Sequence, residues 1–367
     1  MQGSVLSIKG IDIFSGAGGM SIGAKFAGID TVLAVDSDKH AAATYKLNHP
    51  NSVVLCDDIR NVPDFSIYRP DEECVVFGGP PCQGFSTSNQ RTRNTLNQNN
   101  WLFTEFLRAV RQISPEWVVF ENVRGILETE QAMFLEMVVS GLEVFNYSVK
   151  YKLLNASNFG VPQKRSRLFV VAHQKGLGFD WPEISSKPCV SVDDALSDLP
   201  LLENGASFER LKYSSEPKSK FAERMRGASR FSFDNFVTRN APHVVDRYCH
   251  IPQGGNWEDI PVHLMDNYAD RSRCHTGIYR RLKSNQPSVT IGNYRKNMLI
   301  HPHYNRGLSV REAARLQSFP DWFRFTGSIG FQQQQVGNAV PPLLAEAVFE
   351  QVLASSNTKH NQLIAAE

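Results

Sequence analysis

Lys9-Gly10-Ile11-Asp12-Ile13-Phe14 runs directly into Ser15-Gly16-Ala17-Gly18-Gly19, and the reading of this stretch decides the fold. The first six residues have the composition of a short buried strand. The glycines let the chain turn tightly and let backbone approach a ligand closely. The pattern then predicts a helix over Met20–Ala27, ended by Gly28, and a strand over Thr31–Val35, ended by Asp36. The result is a β-loop-α-β unit with an acid 20 positions after Gly16, where a carboxylate can reach a ribose hydroxyl. NAD, FAD and S-adenosylmethionine all suit such a unit. The missing third glycine at dinucleotide spacing argues against a pyrophosphate ligand.

Working outward, a helix over Lys39–Asn48 and a strand over Ser52–Leu55 lead to Asp57-Asp58-Ile59. A fourth strand, Cys74–Phe77, enters Gly78-Gly79-Pro80-Pro81-Cys82-Gln83-Gly84-Phe85-Ser86. Prolines fix φ and remove donors, so Cys82 stands on a stiff support, as a nucleophile requires. Taken alone, a single cysteine is more often a small buried apolar residue. Gln83–Asn100 is almost all Ser, Thr, Asn, Gln and Arg, too polar for a core; beside a candidate nucleophile it reads as a lid. A helix over Trp101–Ile113 and a strand over Trp117–Phe120 follow, the strand ending at Glu121-Asn122-Val123. A helix over Gln131–Leu142, a strand over Tyr147–Leu154 and Gln163-Lys164-Arg165-Ser166-Arg167 before the strand Leu168–Ala172 complete this part. In doubly wound sheets ligands bind outside the carboxyl ends of the strands, so Gly16, Asp36, Asp58, Cys82 and Glu121 are expected to converge. Arg165 and Arg167 are two apart and, in an extended chain, share a face.

Composition narrows the class. The 367 residues are 41% hydrophobic and 21% charged, which is neither disordered nor membrane-like, and no apolar run reaches the ~18 residues of a spanning helix. Met1–Lys9 lacks the pattern of a secretory signal, and six scattered cysteines without a C-x-x-C pair fit reduced thiols, so the expectation is a cytoplasmic protein. Net charge is +2, but residues 207–307 carry 17 Lys and Arg against 9 Asp and Glu, a surplus of 8 that leaves −6 elsewhere. A basic segment of this kind suits a polyanion.

The ordered set resembles the DNA (cytosine-5)-methyltransferase family. The residues that carry the resemblance are Asp12–Gly19, Gly79–Ser86, Glu121-Asn122-Val123, Gln163–Arg167 and Gln335-Val336-Gly337-Asn338-Ala339-Val340-Pro341-Pro342, in the family's order and spacing. The resemblance implies an α/β, Rossmann-like sheet with helices on both faces, S-adenosylmethionine as cofactor and S-adenosylhomocysteine as product. It implies that Phe14 stacks on the adenine, that Gly16, Gly18 and Gly19 admit the methionine part, and that Asp36, where the family more often carries glutamate, holds the ribose. Asp58 and Ile59 would contact the adenine, and Pro81, Leu102, Asn338, Ala339 and Val340 would line the pocket. Cys82 would be the nucleophile, Glu121 the residue on the cytosine N3/N4 edge, and Arg165 and Arg167 the positioning pair, with Arg165 near O2. Gln83, Ser86 and Ser88 would touch DNA. One departure is Asn99-Asn100, where the family often has a basic residue.

The family's small DNA-reading domain corresponds to the basic middle segment, which matches no general pattern. The expected organisation is a discontinuous catalytic domain (1–180 and 330–354), a target-recognition domain (181–300), a hinge (301–329) and a flexible tail (355–367). Phe231, Phe233 and Phe236 are expected in the small core, Pro287–Ile291 as a strand, Leu308–Phe319 as a helix capped by Ser309 and Glu312, and Asn338–Ala354 as a helix. The cysteine and histidine spacings fit no zinc pattern, and no metal is expected. The reading is a monomeric bacterial or phage enzyme acting on double-stranded DNA, with no membrane partner and nucleoid-associated in a bacterium, that protects DNA from a restriction enzyme. The rivals are a tRNA cytosine-5 methyltransferase and a non-catalytic DNA-binding relative.

Overall fold

Alternate residues of the first strand meet different surroundings, and that alternation sets the layers. In the computed structural model, which describes residues 8–81, 101–128, 132–184, 188–266, 277–292, 294, 296 and 298–366 (backbone alone from 359), β1 spans Lys9–Ile13. Ile11 and Ile13 enter one apolar cluster, whereas Asp12 turns toward the other face. Both faces of the sheet are covered, which is why its strands are almost continuously apolar.

The first of two units comprises Met1–Asn155, Ser166–Ile184 and Pro342–Glu367. After β1 come α1 (Gly19–Ala27), β2 (Asp30–Asp36), α2 (Lys39–Asn48), β3 (Val53–Cys56), β4 (Cys74–Gly78), α3 (Leu102–Ile113), β5 (Trp117–Val123), α4 (Met133–Val144), β6 (Tyr147–Asn155) and β7 (Ser166–Gln174). The sheet order is β3-β2-β1-β4-β5-β7-β6, parallel from β3 to β5, with β7 antiparallel to both neighbours. Asp38 caps α2 by accepting from the amides of His40 and Ala41, and Gly28 ends α1 in the left-handed region. α3 presents Phe103, Phe106, Ala109, Val110 and Ile113 to the cluster that holds Ile11 and Ile13. On the opposite face the C-terminal helix, Pro342–Ala366, packs on α1 at Gly23, where a Cβ would come within 2.5 Å of Ala345 Cβ and 2.6 Å of the Pro342 carbonyl. Phe349 of that helix meets Phe77 of β4 edge-on at 4.9 Å.

The second unit comprises Ala156–Arg165 and Ser185–Pro341. Its elements are α5 (Val192–Leu196), β8 (Ser207–Lys212), α6 (Lys220–Arg226), β9 (Phe231–Phe236), α7 (Pro242–Cys249), α8 (Val310–Leu316) and α9 (Ile329–Asn338). β8 and β9 form a two-stranded antiparallel ribbon. The capping box at Ser309 and Glu312 forms as expected. Beside an apolar cluster around Tyr248, Ile260 and Ile300, the unit's interior holds buried charged groups. Arg315 grips Asp198 at 2.8 Å and Asp321 at 2.6 Å, Arg306 pairs with Glu312 at 2.7 Å, and Arg311 with Asp234 at 3.1 Å. Each guanidinium spends its remaining donors on carbonyls, the condition under which a buried ion pair is tolerated.

Several expectations change. Residues 301–341 fall within the second unit, where Arg306, Arg311 and Arg315 tie α8 to Leu202, Asp234 and Asp198. The stretch drawn as a flexible tail continues the C-terminal helix to Ala366, and Ser356 is buried with a hydrogen bond to the Glu73 carboxylate. That helix begins at Pro342, and Asn338 instead closes α9, a separate helix. Pro287–Ile291 forms only an isolated bridge between Ser288 and Gln163. In β9 the buried residues are Ser232, Asp234 and Asn235, while Phe231, Phe233 and Phe236 are half-buried: Phe231 and Phe233 alternate with the buried Ser232 and Asp234, and the alternation breaks after Asp234, at φ 58°. Arginines cover two of these rings: Arg210 lies over Phe231 and Arg324 over Phe233.

Candidate active site at the carboxyl ends of the strands

The loop after β1 is a chain of left-handed turns, with Phe14 at φ 62°, Gly16 at 53° and Gly18 at 96°. Phe14 is not a glycine, so its conformation stores strain of the kind found at ligand-binding loops. The Gly16 amide donates to Asp36 Oδ2 at 2.7 Å, and the Asp38 amide donates to Asp36 Oδ1 at 2.8 Å. Asp36 therefore braces the loop from the end of β2; burial pushes its pKa up, and the two amides oppose that. Each Asp36 oxygen keeps acceptor capacity for a hydroxyl. A Cβ at Gly16 would meet nothing within 4 Å, and Ser15 Oγ is buried without a hydrogen-bond partner among the described residues. Gly19 opens α1 and is buried.

The next strand pairs Cys56 with Asp36, which sets Asp58 two residues beyond the edge. Asp58 caps a short 3-10 turn, Ile59–Asn61, and the Arg60 guanidinium, hydrogen-bonded to both its oxygens, holds it at about 2. Ile59 is packed in the core cluster.

β4 ends beside β5, with Gly78 opposite Phe120. A Cβ at Gly79 would lie 2.7 Å from Glu121 Oε2, so only glycine leaves room for this carboxylate. Asn122 Nδ2 donates to the Pro80 carbonyl at 3.2 Å. β5 extends past Phe120 to Val123 because β7 pairs with it, Val123 facing Arg167. Glu121 and Arg167 are thus diagonal partners on one face. Arg167 Nε lies 2.9 Å from Glu121 Oε1, the two side chains 12% and 9% exposed. Burial lowers the Arg167 pKa, and Glu121 opposes the shift.

Arg165 does something else. Its guanidinium donates to the carbonyls of Ile291 (2.7 Å), Gly337 (3.0 Å) and Ala339 (2.9 Å), all within the second unit. The two arginines therefore do not act as one pair. β7 starts at Ser166, so Arg165 lies just before the strand that carries Arg167 and turns its guanidinium to the carbonyls of its own unit.

Pro81 and Leu102 are half-buried at the two ends of residues 82–100. Cys82, Gln83, Ser86 and Ser88 lie outside the described residues. Asn338, Ala339 and Val340 belong to the second unit, at and just after the end of α9. The sequence pattern gives Asp12 no role of its own, although a carboxylate in Gly-Ile-Asp-Ile is the one polar side chain in an apolar run. Its buried carboxylate accepts from Ser21 Oγ, the hydroxyl at the centre of a hydrogen-bonded cluster.

A carboxylate and a guanidinium side by side complement a planar edge that offers both donors and acceptors. Next to them is a glycine turn braced by an acid, the geometry of a small-molecule site.

Comparison with known proteins agrees. The model of the C-5 cytosine-specific DNA methylase family matches residues 8–354. The type II methyltransferase M.DdeI of Desulfomicrobium norvegicum is 35% identical, covering 93% of this chain and 88% of that protein. The type II methyltransferase M1.HphI of Haemophilus parahaemolyticus is 36% identical over 95% and 87%. A crystal structure described as a DNA modification methyltransferase encoded within an E. coli prophage superposes with a TM-score of 0.79 at 27% identity, covering 96% of this chain and all of that one. With Glu121, Arg167 and the Asp36-braced loop at the carboxyl ends of a mixed sheet, and a family model that spans nearly the whole chain, this protein belongs to the C-5 cytosine-specific DNA methylases.

Proposed function

We infer that the enzyme methylates C5 of a flipped-out cytosine within a specific double-stranded DNA sequence, using S-adenosylmethionine and a transient covalent bond from Cys82. The observation that supports this most directly is the Glu121–Arg167 pair packed against Gly79, three residues before Cys82. The loop also suits the cofactor: Asp36 has acceptor capacity for a ribose, Ser15 Oγ awaits a partner, and the side of Gly16 is open.

S-adenosylmethionine, when bound, supplies an electrophilic methyl group. Cytosine C5 is a poor nucleophile, and the residues of the chain correct this. Addition of the Cys82 thiolate to C6 gives C5 enamine character, so C5 can accept the methyl; loss of the C5 proton then expels the thiolate. Glu121 holds the N3/N4 edge and Arg167 stands beside it to complement charge on the ring. Arg165 orders the backbone of the second unit around Ile291 and Ala339. C6 is hidden in a duplex, so the base must leave the stack. The basic surplus of residues 207–307 suits phosphate contacts, and the second unit is the natural reader of sequence. The biological role that follows is protection of DNA from a cognate restriction enzyme.

Incubation with a duplex containing 5-fluorocytosine should trap a covalent adduct that maps to Cys82 by mass spectrometry, and Cys82→Ser should abolish transfer while still binding S-adenosylhomocysteine. An adduct on another residue, or activity in the serine variant, would falsify the mechanism. Bisulfite sequencing of DNA from expressing cells identifies the target sequence, and transfer of labelled methyl to tRNA but not to duplex DNA would reverse the choice of substrate.

A further inference from the structure

Beneath the glycine turn lies a polar cluster that the reaction as described does not use. Asp12, 1% exposed, accepts from Ser21 Oγ at 2.5 Å. Ser21 Oγ lies 2.6 Å from the Tyr45 hydroxyl, and Thr31 Oγ1 donates to Ser21 at 3.3 Å. These four side chains come from β1, α1, β2 and α2, so the cluster links the elements that frame the loop. The Tyr45 ring continues the chain of contacts, stacking on His49 with centroids 4.3 Å apart. Together the two rings form a floor under Gly18, where a Cβ would come within 2.9 Å of either.

The geometry points to Asp12 as a positioning residue for the cofactor loop: by fixing Ser21 and Tyr45 it sets the height of the floor on which Gly18 turns. The inference rests on the cofactor reading above. Asp36, the charged neighbour of Asp12, sits under the same loop and braces Gly16. Burial and Asp36 together keep the Asp12 proton in place at neutral pH, so the carboxyl works as a neutral hydrogen-bonding strut. The cluster accommodates this state: the carbonyl oxygen of a protonated Asp12 still accepts from Ser21 Oγ, which in turn accepts from Tyr45 and Thr31.

A neutral strut can be replaced by an amide but not by a methyl group. S-adenosylhomocysteine binding is measured by titration calorimetry on the full chain, with thermal melts to confirm folding. Asp12→Ala should weaken binding by about tenfold or more, whereas Asp12→Asn should stay within about twofold. Tyr45→Phe keeps the ring and removes the hydroxyl, and should weaken binding several-fold; it carries the test if Asp12→Ala does not fold. Unaltered binding in Asp12→Ala or Tyr45→Phe overturns the inference, as does an Asp12→Asn variant as weak as Asp12→Ala, because the negative charge would then be what matters. No binding by the unaltered protein would overturn the cofactor reading itself.

Discussion

Arg165 and Arg167 have the same side chain, two positions apart, and opposite assignments. Arg167 faces a carboxylate at the end of a strand and is available to a ligand edge, whereas the donors of Arg165 go to three carbonyls of its own unit. Their substitutions should therefore separate. Arg167→Lys, which keeps a positive charge beside the buried Glu121 but loses the planar donor fork, should lower kcat by about 10²–10³ with a melting temperature close to that of the parent, because the lost term is directed stabilisation of the reacting ring. Arg165→Ala should cost about 3–5 kcal/mol of stability, since it leaves several buried carbonyls without a donor. Denaturant titration beside single-turnover kinetics measures both. Loss of stability in the first variant, or full stability in the second, would exchange the roles.

α1 is held at the glycine loop by its partner helix as well as by its own sequence. Gly23 is helical and needs no unusual φ; what it provides is room for the Pro342–Ala345 turn of the C-terminal helix. Gly23→Ala raises helix propensity yet places a methyl group 2.5 Å from Ala345 Cβ. Overpacking should win, with destabilisation of about 1–3 kcal/mol and weaker cofactor binding as α1 shifts. Gly23→Ala at parental stability would mean that the two helices can separate at little cost. The same contact explains why the 25 residues Pro342–Ala366 are helical: Leu344, Val348 and Val352 are buried along the helix, and Ser356 continues that stripe.

Across the molecule, the buried titrating groups set the pH response. Asp12 is raised from 3.8 to about 8 by burial, so between those values folding takes up a proton and stability falls as pH rises. Asp12→Asn should remove that slope: its advantage over the parent grows by up to about 1.4 kcal/mol per pH unit from pH 4 to 8 and is constant above. Asp36, also raised, adds to the downward slope in both proteins. In the second unit the Arg306 guanidinium draws Glu312 down from 4.5 to about 2, so its contribution is present above 4.5 and lost as pH falls toward 2. Thermal melts from pH 4 to 9 check the first, and a parallel decline of parent and Asp12→Asn across that range would contradict it.

What the chain order determined alone was the α/β class, the position of every strand from β1 to β7 within two or three residues, and the polar or glycine-rich residues that stand at the strand ends. Those features follow from local rules: buried runs of β-branched residues, glycine turns, and side-chain caps such as Ser309 with Glu312. Tertiary structure decided the rest. That Glu121 meets Arg167 depends on β7 pairing with β5 in antiparallel register, which places residues 46 apart diagonally across two strands. That Arg165 is structural depends on carbonyls more than 120 residues away. The arginine-rich interior of the second unit could not be read at all, because a guanidinium looks like surface in a sequence until the carboxylates and carbonyls that satisfy it are brought around it.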